Sequence, residues 1–169
     1  MDANCASVTK VGHAKRRAFL AALAGVPFSA IAQNAPEPAD TGLAKRIARR
    51  YRIAQSAVER IIALAERHFP ADPALLLAIV GVESSWRPWA VGTVGEVGLC
   101  QVRPDVHGVS ETALADPNVN IRVAARVLRQ CLARSGGDVA GAVARYNGRG
   151  AAADDYARRV LEEREKLTA

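Results

Sequence analysis

The segment from Asp72 to Trp86 constrains this chain more than any other. Asp72-Pro73 supplies a side-chain oxygen that can cap a helix, followed by a residue whose missing N–H is not needed in the first turn. Behind it, Leu75, Leu76, Ile79, Val82, Glu83 and Trp86 recur at three- and four-residue steps and so share one helical face. All but Glu83 are apolar. Such a face has to be covered by other elements, which makes this helix the central one of a packed domain. A carboxylate beside the stripe is partly desolvated, and desolvation raises its pKa towards the range where it can donate a proton near neutral pH. Periodicity alone leaves two readings open for Glu83: a general acid, or a helix-end glutamate that reaches solvent or pairs with Arg87 or Arg103.

The elements around it are also helical. Leu43, Ile47 and Tyr51 stand at helical spacing, and Ser56-Ala57-Val58-Glu59 has the form of a capping box opening a helix with Val58, Ile61, Ile62, Ala65 and Phe69 on one side. From Ser85 to Ser110 no apolar period is sustained, and Pro88, Gly92, Gly95, Gly98, Pro104 and Gly108 punctuate the chain. This predicts an irregular or short-hairpin connection, of a length that usually carries function. Asp116-Pro117 restarts a helix whose stripe runs through Val123, Ala124, Val127, Leu128, Cys131 and Leu132 and stops at Gly136-Gly137. Segments 138–146 and 155–166 predict two more helices. There is no internal repeat, and no strand-like alternation long enough for a principal sheet. The fold class expected is mainly α, with an irregular loop region after the central helix.

Half of the 169 residues are hydrophobic, too many for a disordered chain. The longest uncharged run begins at Ala18 and is broken by Gly25 and Pro27, which excludes a bundle of membrane spans. That run has the form of an export signal: Lys10, Lys15, Arg16 and Arg17 precede an apolar stretch to Ile31, and Ala30-Ile31-Ala32 offers a small-x-small cleavage pattern. Arg16-Arg17-Ala18-Phe19-Leu20 also fits a twin-arginine signal, with the plain secretory route preferred. The alternative is an uncleaved anchoring helix. The expected organisation is a signal over 1–32, a Pro-, Ala- and acid-rich leader over 33–42, and one domain over 43–169, with periplasmic or other extracytoplasmic location and no stable membrane insertion after cleavage. Cleavage would lower the formal charge from +6 to +3. The remaining arginines, such as Arg122, Arg126 and Arg129, fall at helix-face spacing with no aromatics between them, a pattern that argues against nucleic acid and suits retention beside an anionic polymer such as a cell wall.

Four motifs follow one another along the domain. Glu83-Ser84-Ser85-Trp86 leads into Gly95-Glu96-Val97-Gly98-Leu99-Cys100-Gln101, then Asp116-Pro117-Asn118-Val119-Asn120-Ile121, then Ala142-Val143-Ala144-Arg145-Tyr146-Asn147-Gly148, and the series closes on Tyr156-Ala157-Arg158-Arg159-Val160. In this order and spacing the chain, over roughly residues 70–165, resembles the soluble lytic transglycosylase domain, a lysozyme-like helical fold of glycoside hydrolase family 23. The resemblance implies that Glu83 is the catalytic acid/base and Ser84 a hydroxyl near the sugar. It implies that Gln101 lines the saccharide groove, and that Tyr146 and Asn147 stand beside the glutamate and the sugar. Asp116 and Asn120 are assigned to structure, as cap and helix-start residues. Cys100 replaces the family's usual methionine, and no glutamate precedes Tyr156 at the customary distance. The short ending is similar to compact transglycosylases associated with secretion systems, conjugation, pili or phage entry, so apparatus proteins of that kind are expected partners beside peptidoglycan strands.

Only Glu83 has a motif that places it; Glu96, Asp105 and Glu111 lie in or near the loop with nothing local to fix them, which favours a one-carboxylate scheme over the usual pair. The family scheme implies cleavage between N-acetylmuramic acid and N-acetylglucosamine with a 1,6-anhydro product. The competing expectations are a goose-type-like lysozyme hydrolysing the same bond and a non-catalytic peptidoglycan-binding module. No metal or organic cofactor is expected, since His68 and His107 are isolated and Cys100 with Cys131 has no metal-ligand spacing. The two mature cysteines form either a disulfide, Cys100 to Cys131, in an oxidising envelope, or two buried thiols.

Overall fold

The computed structural model describes residues 41–169; the expected signal and the leader up to Asp40 lie outside the described residues. Among the described residues there are eight helices and no strand. They are α1 (Thr41–Tyr51), α2 (Gln55–His68), α3 (Pro73–Ser84), α4 (Pro104–His107), α5 (Glu111–Leu114), α6 (Pro117–Arg134), α7 (Val139–Asn147) and α8 (Ala151–Thr168). The first helix thus starts inside the stretch expected to be leader, two residues before Leu43.

Three helices open on aspartate caps. The Asp72 carboxylate accepts from the Leu75 amide, Asp116 from Asn118 and Val119, and Asp138 from Ala140 and Gly141. The capping box expected at Ser56 does not form. Arg52 turns the chain with a φ of 55°, α2 begins at Gln55 without a side-chain cap, and Ser56 sits exposed inside the first turn. The tight exit from α1, held by Ile53 N–H to the Ala48 carbonyl, sets the start of α2 before the local pattern can.

Helix α3 is the core of the domain, packed against α2 and α8. Sequence periodicity assigns it one apolar face, but every residue from Leu75 to Gly81 is buried, so the helix is covered all round. It also ends earlier than the stripe implies: Ser84 is its last residue, and Ser85 and Trp86 both take left-handed backbone conformations, φ 51° and 66°. Two successive non-glycine residues at positive φ are strained, and they are held because Trp86, 1% exposed, is locked into the core. This sharp exit leaves Glu83 in the last turn of a rigid, buried helix.

The loop that follows carries two hairpin-like turns, with Val97 bridging antiparallel to both Val91 and Val102. Its anchor comes from α6. Asn120, fully buried, donates to the carbonyls of Val97 (2.8 Å) and Leu114 (2.9 Å) and accepts from the Cys100 amide (2.9 Å). Gly98 makes this possible, since its φ is 79° and a Cβ there would collide with the Asn120 amide. The short helices α4 and α5, which the sequence leaves irregular, fill the rest of the connection; Ser110 caps α5. Cys100 and Cys131 are both buried. No helix of the described residues is long and apolar enough to cross a membrane.

Candidate active site

The end of α3, the hairpin loop and the end of α7 enclose a cleft of about 370 Å³. Glu83 lines it together with Gly92, Glu96, Gln101, Arg103, His107, Tyr146 and Asn147. Four of the sequence-predicted residues, Glu83, Gln101, Tyr146 and Asn147, are therefore brought to one cavity from three separate elements.

Glu83 is only partly exposed, and its carboxyl accepts one hydrogen bond, from the Tyr156 hydroxyl at 2.7 Å. Burial pushes its pKa up to about 7; the Tyr156 donor pulls the other way, the negative charge of Glu96 adds to the rise, and Arg159 opposes it. The carboxyl therefore carries a proton for part of its time at neutral pH, the condition for a general acid that can afterwards act as base. Tyr156 is itself 2% exposed, lies in the second turn of α8, and has the Arg159 guanidinium over its ring at 5.8 Å.

Tyr156 is the residue to which sequence reasoning assigned no role. The resemblance puts Tyr146 beside the glutamate, and Tyr146 does line the cleft, but its hydroxyl donates to the Cys100 carbonyl at 3.0 Å and so ties α7 to the loop. A usable signal was present: Tyr156, Val160, Glu163 and Leu167 recur at helical steps, and a phenol on a buried face needs a polar partner. Helix α8 starts at Ala151, four residues before the sequence-expected start, which embeds Tyr156 in regular helix.

Gln101 holds a left-handed conformation, φ 46°, and its amide donates to the carbonyls of Ala90 (3.1 Å) and Gly98 (2.9 Å). Both donors are committed to the loop, and the carbonyl oxygen stands over Gly92, 2.8 Å from where a Cβ would be. Asn147, the exposed last residue of α7, is on the rim. Ser84 does not join the set. It is 2% exposed and donates to the Val80 carbonyl one turn back at 3.1 Å, because the next position round the helix from Glu83 faces the core. Its own carbonyl accepts from Arg87, both from the backbone N–H and from Nε, and closes the turn after α3.

Of the other acidic residues in the region, Asp105 is paired with Arg103 and Glu111 sits in the first turn of α5. His107 has its pKa lowered, by burial first and then by Arg126. Among the described residues no group of three or more His, Cys, Asp or Glu side chains is gathered as a metal site.

Residues 60–168 match the family model of the transglycosylase SLT domain. Over 88 residues the chain is 36% identical to a protein named transglycosylase from Enterobacteria phage PRD1; the match takes in 52% of this chain and 33% of that protein, so it spans about a third of the relative's length. The matched stretch runs from α2 to the end of α8 and contains the glutamate, its phenol partner and the loop that closes the cleft, and the chain belongs to the lysozyme-like transglycosylase SLT domain family.

Proposed function

We propose that this protein is a peptidoglycan lytic transglycosylase that cleaves the β-1,4 bond from N-acetylmuramic acid to N-acetylglucosamine and leaves 1,6-anhydromuramoyl ends. The observation that carries the reading is Glu83, a carboxyl with its pKa held near 7 at the end of a rigid helix, open to a cleft and oriented by one neutral hydroxyl. In the first step Glu83 gives its proton to the glycosidic oxygen as the bond to C1 breaks. In the second, its carboxylate takes the proton of the muramoyl 6-hydroxyl, whose oxygen closes onto C1. Gln101 offers its side-chain carbonyl oxygen and Asn147 its amide to the sugar, from the cleft wall and rim. The 6-hydroxyl is favoured over water because it is already attached next to the reacting carbon, where effective molarities can reach about 10⁵ M or more.

Hydrolysis of the same bond in the manner of a goose-type lysozyme is the second reading, and the specific observation in its favour is a further carboxylate, Glu96, on the cleft wall. Digestion in heavy-oxygen water separates the two. The transglycosylase gives muropeptides one water lighter, without a reducing end and without label; label at the new muramoyl ends establishes hydrolysis instead.

Action outside the cytoplasm completes the proposal. A peptidoglycan substrate and the cationic, apolar, small-x-small pattern before Gln33 both support it. The short connection between Asn147 and Tyr156 fits local opening of the wall for a secretion, conjugation or pilus machine. N-terminal sequencing of extracytoplasmic protein should find Gln33 first; an intact Met1 would instead identify an anchored form.

A further inference from the structure

The reaction above gives no task to Glu96, yet the fold fixes this residue with some care. Its Oε2 accepts from the Val94 amide at 3.2 Å, and its own carbonyl accepts from the Gly92 amide at 2.8 Å, so the turn folds back over its own side chain. Gly92 leaves the space that the carboxylate occupies, since a Cβ there would collide with Oε2. The geometry that the sequence does not supply for this residue is thus supplied by the hairpin. Among the described residues no basic side chain forms an ion pair with Glu96. The nearby Arg103 uses its guanidinium on Asp105, at 2.5 and 3.1 Å. A carboxylate with no cation bonded to it, though within the field of Arg103, therefore lines the same cleft as the general acid, close enough for its charge to act on the Glu83 proton.

We propose that Glu96 is a second catalytic residue, whose carboxylate stands against the positive charge that develops at the muramoyl C1 and ring oxygen as the glycosidic bond breaks. The inference rests on the reading of the cleft as a glycoside-cleaving site. Proton transfer from Glu83 lets the leaving sugar depart with the bonding pair and a neutral hydroxyl. The cationic ring is held by the fixed charge of Glu96 until the 6-hydroxyl oxygen supplies a new pair to C1 and its proton returns to Glu83. Nothing is oxidised, and the enzyme ends in its starting state. An anion already fixed where positive charge appears lowers the barrier because no solvent has to reorganise around it. The same charge adds to the rise that burial gives the Glu83 pKa, so both carboxylates serve the first step.

Two substitutions in the full chain separate this role from that of a loop clasp. Glu96→Gln keeps the volume and an oxygen for the Val94 amide but removes the charge; Glu96→Asp keeps the charge but withdraws it from the clasp. The expected result, with purified peptidoglycan as substrate, is a loss of about 10²-fold in kcat for Glu96→Gln with KM little changed and the melting temperature kept. The alkaline limb of its pH–rate profile should move to lower pH, since Glu83 loses the neighbour that raises its pKa. Glu96→Asp should retain more activity than Glu96→Gln. The reverse order, or wild-type kcat in Glu96→Gln, overturns the inference and leaves Glu96 as a clasp. A wild-type protein that releases no muropeptides overturns the reading of the cleft as well.

Discussion

Helices α3 and α8 exchange carboxylates. Glu83 of α3 meets Tyr156 of α8, and Glu163 of α8 lies against Gly81 of α3, where it meets Tyr51. Both glutamates are withdrawn from water and each accepts from a tyrosine hydroxyl, at 2.7 and 2.8 Å. The difference is in charge. Glu163, 5% exposed, also receives a two-pronged bond from Arg50, 2.9 Å to each oxygen, and has Lys166 at 3.8 Å. Glu83 has no cation bonded to it and the negative Glu96 nearby. A buried carboxylate under a guanidinium is a strut that fastens α1 to α8; one that burial raises to a pKa of about 7, with no cation bonded to it, is available for chemistry. The Tyr51 hydroxyl shows the first environment from the other side, its pKa pushed up to about 12 by burial and then by Glu163.

The contrast is broken most severely by Glu83→Gln. Loss of the proton donor should lower peptidoglycan turnover by about 10²-fold or more, and residual activity above a tenth of wild type would assign the acid role elsewhere. Stability should move in the opposite direction. The folded pKa of Glu83 is raised above its ordinary value of 4.5, so its contribution to stability is complete below that value and is lost as pH rises through about 7. Urea titrations should therefore find the variant and wild type alike near pH 4 and the variant more stable by up to about 3 kcal/mol at pH 8. Equal curves at both pH values would mean that the site is not desolvated.

Glu163→Gln tests the strut. Glutamine can still accept from Tyr51 but leaves Arg50 without its countercharge. Because Arg50 is 48% exposed, solvent screens part of the loss, and a cost of about 1–2 kcal/mol in chemical denaturation is expected, with kcat of the folded protein unchanged. A fall in kcat without a fall in stability would erase the distinction between the two glutamates.

Tyr156→Phe sharpens the comparison at the smallest scale. The phenol favours the ionised form of Glu83, so its removal should raise the pKa of that carboxyl further and move the alkaline limb of the pH–rate profile to higher pH. With orientation lost as well, kcat should fall about tenfold, roughly 1.4 kcal/mol of barrier. A limb that moves to lower pH would show that Tyr156 stabilises the neutral acid.

Much of this arrangement is legible in the sequence, and the legible parts are local. Asp72-Pro73 and Asp116-Pro117 mark helix starts because a cap reaches only two or three residues along the chain. The apolar steps from Leu75 onward mark α3 because burial follows helical period. Where the local pattern failed, a neighbour had overruled it: the turn at Arg52 moved the start of α2 past the Ser56 box, and the packing of Trp86 ended α3 short of its stripe. Ser84 follows Glu83 directly in the sequence and yet faces the core, because adjacent residues on a helix point in different directions.

By itself the sequence determined a helical domain, its central helix, the glutamate at the end of that helix and the family to which four ordered motifs belong. Tertiary structure alone decided the company that glutamate keeps. Tyr156 reaches it across 73 positions of sequence, Asn120 holds the cleft loop across 20 and 23, and Gly92 clears the place of Glu96. These contacts have no period and no fixed spacing, since helix packing brings together side chains whose separation along the chain is arbitrary. The protonation of a carboxyl depends on the burial and charges within a few ångströms of it, and those are fixed only when the helices meet.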